Sequence, residues 1–153
     1  MNEAVILIEQ IRATYSGNAW HGTNIVDALL DVDYIEARNR VIAERHTIWE
    51  LVDHMVVWLE VPTKILLEEK NYHDLPIEIN WKPMGNTQED WENTVKRLER
   101  AIDNIISVIA DTPVEIFDEN VLDLKFTYRT LLNGALHHNL YHLGQIAILK
   151  KKK

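Results

Sequence analysis

The sequence predicts an all-α protein: a four-helix bundle forming a single domain over residues 1–153, with a long crossover between its second and third long helices. Apolar residues recur at three- and four-residue spacing in four long stretches, while strand-like alternation is scarce. The Pro- and Gly-bearing stretches fall largely between those segments. At 153 residues the chain suffices for one sizeable core. Amphipathic helices with no sheet to cover bury their apolar faces on one another.

Each element follows from local letters. A first helix is predicted from about Asn2 to Ser16, on a stripe of Val5, Ile8 and Ile11, and Ser16-Gly17-Asn18 ends it. A short helix follows from about Thr23 to Leu30, capped by Thr23 or Asn24. Residues 33–45 are less periodic and read as a loop with a turn or two. The second long helix runs from about Thr47 to Lys70, and Pro62 inside it is expected to kink or divide it. Residues 71–86, with Pro76, Pro83 and Gly85, form the crossover.

Thr87 then caps a third helix with acidic residues in its first turn. It continues through Trp91, Val95, Leu98, Ile102, Ile105 and Ile109 to about Ala110, and Asp111-Thr-Pro113 stops it. Residues 113–125 are an irregular link. The fourth helix spans about Phe126 to Lys151. Gly144 inside it costs about 1 kcal/mol relative to Ala, and is expected to permit close approach of another helix.

Composition narrows the function. The net charge is −8, with 24 acidic and 16 basic residues, and four of the basic ones are the terminal Lys150 to Lys153. An acidic body of this kind repels a phosphate backbone, which argues against nucleic acid. The lysine run is expected to complement the dipole of the last helix rather than to touch a membrane. No apolar run is long enough to span a bilayer and the start lacks a basic signal-peptide region, so a cytoplasmic protein is expected. With no cysteine, thiol nucleophiles, disulfides and Cys-ligated zinc are excluded.

The last helix carries the chemistry. His138 and His142 stand four residues apart, just over one turn, so both imidazoles project to one side. Leu131, Ala135, Gln145 and Leu149 share that stripe, so two histidines and a glutamine occupy places where a packed helix carries apolar side chains. Buried imidazoles need partners. A shared metal ion is one solution; bonds to a carboxylate or carbonyl, or a solvent-facing stripe, are the others.

His54 offers a third ligand, on the side of its helix that carries Leu51, Met55 and Trp58. Three inward imidazoles from two helices make a His₃ set that leaves positions open for water or substrate. Asn139 replaces the Glu of the HExxH pattern, no Glu-x-x-His occurs, and no Walker or Rossmann glycine pattern is present.

Two segments, His46-Thr-Ile-Trp-Glu-Leu-Val-Asp-His54 and His138-Asn-Leu-Tyr-His-Leu-Gly-Gln-Ile146, resemble those of the DinB-like superfamily, as does Ala19-Trp-His-Gly-Thr-Asn-Ile25. The resemblance covers nearly the whole chain. It implies a four-helix bundle, often a homodimer, holding nickel, zinc or a similar divalent ion on His54, His138 and His142. Relatives of this kind include thiol-dependent S-transferases and an isomerase that use a low-molecular-weight thiol.

Around that set, Trp20 and His21 are expected either to line a small-molecule pocket or, for Trp20, to anchor a loop by packing. Tyr141 is a candidate pocket donor and Gln145 a candidate group for orienting an imidazole. Asp53 is a weaker candidate for the same task and is expected to face solvent. His137, about 100° round the helix from His138, is expected at the surface or an interface. His46 is expected to cap its helix or to sit at a pocket rim, and His73 to be exposed. Trp49, Trp58, Trp81 and Trp91 read as core or crossover packing. Two functions follow. One is an enzyme in which the ion activates a thiol toward an electrophile, or else water for hydrolysis; the other is a metal- or ligand-binding bundle without turnover.

Overall fold

The computed structural model describes residues 2–67, 81, 84–122 and 124–150. They form six α-helices: α1 (Glu3–Tyr15), α2 (Ile25–Leu29), α3 (Tyr34–Arg38), α4 (Ile48–Leu66), α5 (Gln88–Asp111) and α6 (Tyr128–Leu149). A 3-10 turn at Val114–Asp118 precedes α6. Among the described residues there is no strand, only an isolated bridge between Asn120 and Thr127. The four long helices are the four expected from the sequence. Most of the expected crossover, the expected helical residues 68–70 and 151, and His73 lie outside the described residues.

The α-helices start where a side chain can satisfy their first free N–H groups. Asn2, Asn24, Asp33, Thr47, Thr87 and Thr127 each accept a hydrogen bond from the backbone two or three residues on. At α4 the bond is reciprocal: the Thr47 hydroxyl accepts from Glu50 N–H, and the Glu50 carboxylate accepts from Thr47 N–H at 2.7 Å. Residues 33–45, read as mostly loop, hold the short helix α3. Pro62 lies within α4 and does not divide it.

Helix α4 is the centre of the bundle. It packs against α5, α6 and α3, while α1 packs on α5 and α6, and α2 on α6. Being covered on several sides, α4 is buried nearly all round, Asp53 and His54 included. Asp53, expected to face solvent, is only 6% exposed. Its carboxylate meets Arg97 Nη1 of α5 at 2.9 Å, so the charge enters the bundle with its counterion.

The main core joins Leu7, Ile11, Trp49, Val52, Leu98, Ile105, Phe117, Leu132 and Ile146, and a smaller cluster joins Val57, Val61, Ile65, Val121 and Tyr128 beneath the link before α6. Trp49 and Trp91 are core residues as expected, and Trp91 Nε1–H donates to Val32 O at 2.8 Å. Gly144 is exposed, and a Cβ built there would meet nothing within 4 Å, so no helix of the described chain makes the close approach expected at it. The Lys150 ammonium donates to the carbonyls of Leu30 and Asp27 at the end of α2. No helix is long and apolar enough to cross a membrane among the described residues.

Candidate metal centre

His54 enters from the second turn of α4, and His138 and His142 from consecutive turns of α6. The helices face each other, and the three Nε2 atoms converge. His138 Nε2 lies 3.0 Å from His54 Nε2 and 3.0 Å from His142 Nε2. His54, His138 and His142 form a group whose ligand atoms all lie within 4.8 Å of one another and could hold a metal ion. His54 and His142 are buried and His138 is partly so.

The surroundings keep His138 and His142 neutral. Burial, with His142 and His54 close by, lowers the pKa of His138 from 6.5 to about 4. Burial lowers that of His142, against the opposing hydrogen bond from Gln145 and assisted by nearby His46. A neutral imidazole has a lone pair to give, which is the form a metal requires.

Hydrogen bonds alone do not account for the cluster. The Gln145 amide oxygen lies 2.8 Å from His142 Nδ1, so Nδ1 carries the hydrogen and His142 Nε2 is an acceptor. If His138 Nε2–H donates to it, His138 Nε2 has no lone pair for His54, and the second 3.0 Å contact lacks either a proton or a lone pair. If His138 Nε2 is instead an acceptor, two lone pairs face each other across the first. Bound to one ion at about 2.0–2.1 Å, two imidazole nitrogens stand about 2.9–3.4 Å apart for angles between 90° and tetrahedral. The donor set therefore fits a divalent ion. His138 Nδ1 is buried without a hydrogen-bond partner, as are Trp58 Nε1 and, on the neighbouring residue, Asn139 Oδ1.

Aromatic rings stand beside the site. Trp58, one turn beyond His54, stands 5.5 Å from His138 and 6.2 Å from His54 between ring centroids. Trp81 stacks on His54 at 4.1 Å. Tyr141 meets His142 edge-on at 5.0 Å and is largely exposed, which puts its hydroxyl-bearing ring on the outer side of the cluster. Spacing on α6 accounts for Tyr141 and Gln145 standing next to His142. Trp58 and Trp81 were read only as packing, and nothing local in the sequence joins Trp81 to His54.

Other candidates lie apart. His137 is exposed, as its angle on α6 requires. Thr47, not His46, caps α4, and His46 stacks on Trp81 at the rim. Trp20 and His21 are exposed in the link between α1 and α2. Trp20 shows 101% of its reference area, so it anchors nothing by packing among the described residues.

A family model described as the DinB superfamily matches residues 18–146. No curated protein and no solved structure matches the chain.

Proposed function

Because the chain belongs to the DinB superfamily, we propose that it binds one divalent ion, nickel or zinc, on His54, His138 and His142, and that it transfers a low-molecular-weight thiol to an electrophilic small molecule. The observation that carries the metal reading is the convergence of three Nε2 atoms whose two 3.0 Å contacts cannot both be ordinary two-centre hydrogen bonds. When bound, such an ion would supply a Lewis acid that lowers the pKa of a thiol or water placed in an open position.

The chain's own residues favour thiol over water. Hydrolysis benefits from a general base beside the ion, and the two carboxylates nearest His54 on α4 have other duties. Asp53 is paired with Arg97, and Glu50 caps α4 and binds Arg40 at 2.9 Å. Trp58, Trp81 and Tyr141 would offer flat apolar surface to a substrate beside the ion. Gln145 would hold His142 in its metal-binding tautomer.

A second copy of the chain is the partner that α6 suits. From Thr130 to Leu149 this helix has no Asp, Glu, Lys or Arg, yet Gly134, His137, Tyr141, Gly144 and Ile148 are exposed along one stripe. An uncharged helix is normally covered on all sides. In an antiparallel pair centred on Tyr141, Gly134 of each copy would receive Ile148 of the other.

The test is metal content by elemental mass spectrometry of wild type beside His54→Ala, His138→Ala, His142→Ala and His137→Ala. About one ion per chain is expected in wild type and His137→Ala, with strong loss in the other three. Equal loss in all four would overturn the site. The loaded protein is then assayed with small thiols and an epoxide or activated halide; metal binding with no conjugation would favour a binding bundle without turnover.

A further inference from the structure

Trp81 belongs to a column of three stacked rings. Its centroid is 3.4 Å from that of His46, with 1° between the planes, and 4.1 Å from that of His54, with 5°. Two imidazoles so close to one centroid would overlap if they shared a face of the indole, so they lie on opposite faces. The column is held at both ends. At the outer end, His46 Nδ1 is 3.7 Å from Glu50 Oε2, and Glu50 is itself fixed by Thr47 N–H and Arg40. At the inner end, His54 Nε2 meets His138 Nε2.

A histidine ring turns easily about its Cβ–Cγ bond, a broad torsion with no sharp staggered minimum. That rotation decides whether Nε2 points at the other two histidines. Stacking fixes the plane of His54 parallel to the indole, and Trp58, at 68° to His54, stands edge-on to it as well. An imidazole that donates to a cation becomes more positive, and an indole face attracts positive charge, so the stack strengthens as the ion binds.

Resting on the metal reading above, we propose that Trp81 is a positioning residue for the ligand His54: it supplies no ligand atom, but holds the imidazole plane that lets three nitrogens share one ion. The residue comes from outside the helices that carry the ligands, so the site is completed by a third part of the chain.

The test uses the full chain with Zn²⁺ and Co²⁺ as probes, comparing wild type, Trp81→Phe and Trp81→Leu. Zinc affinity is read by competition with a chromophoric chelator, and ligand geometry from the visible bands of the cobalt-loaded protein. Trp81→Leu is expected to bind about three- to tenfold more weakly, the range that loss of one aromatic pair gives, with shifted cobalt bands. Trp81→Phe keeps a flat ring and is expected within about twofold of wild type with its bands unmoved. Wild-type affinity and spectrum in Trp81→Leu would overturn the proposal while leaving the metal site standing. So would equal weakening in both variants without a spectral change, which marks a general loss of packing. A wild-type chain that binds neither metal would overturn the site reading and this inference together.

Discussion

Gln145 determines which nitrogen of His142 is free. Its amide oxygen accepts from Nδ1–H at 2.8 Å, one turn along α6, which leaves the Nε2 lone pair directed at His138. Groups that orient a ligand imidazole in this way typically contribute about 10- to 100-fold to metal affinity. Gln145→Leu is therefore expected to weaken zinc binding by at least about tenfold, and Gln145→Glu, which still accepts a hydrogen bond, to retain it. Chelator competition measures both; unchanged affinity in Gln145→Leu would remove Gln145 from the site.

The Asp53–Arg97 pair ties α4 to α5 beside His54. Arg97→Leu deprives a buried carboxylate of its guanidinium and is expected to cost about 3 kcal/mol. For a chain of this size that is a fall in Tm of about 6–12 °C. Adding Asp53→Asn should recover part of the loss. Calorimetry of the three variants checks this, and a single mutant as stable as wild type would show the pair to be dispensable.

Tyr15 makes stability depend on alkaline pH. Burial pushes its hydroxyl up to about 12, and the carboxylates of Glu99 and Asp103 act in the same direction. Between about 10 and 12 the folded chain keeps a proton that the unfolded chain has released. This contribution is complete below pH 10 and is lost as pH rises through the folded value. Tyr15→Phe is expected to flatten the alkaline limb of stability, followed by chemical denaturation across that window. An unaltered limb would place the loss elsewhere.

The uncharged stripe of α6 predicts association. Ile148→Glu, at a position 76% exposed, would bury a carboxylate in a paired α6 face and is expected to yield monomer at micromolar concentration with metal content unchanged. Sedimentation of wild type and variant checks it; a monomeric wild type would discard the pairing.

What could be read in advance divides along one physical line. The long helices were legible because spacing acts within one turn, as were the caps at Asn24 and Thr87; at α4 the cap is Thr47, one residue beyond the His46 that the sequence offers. The pair on α6 was legible for the same reason, and His54 from the amphipathic pattern around it. Asp53 was misplaced because an acidic letter in a helix signals solvent unless its counterion is known, and Arg97 lies 44 residues away. Gly144 meets no helix of its own chain, because a close approach from a second copy leaves no trace in contacts within one chain. Trp81 stacks on His54 from across the chain, and no periodicity links the two.

The contact between His54 and His138 spans 84 residues of sequence, in a chain with no cysteine. An ion shared there would be a removable cross-link between α4 and the last helix, open or closed according to supply. Because the unfolded chain has no such cluster to offer, free metal at a hundred times its dissociation constant would add about 2.7 kcal/mol to the folding equilibrium. Resistance to unfolding, and with it the lifetime of the chain, would then rise and fall with the metal concentration around it.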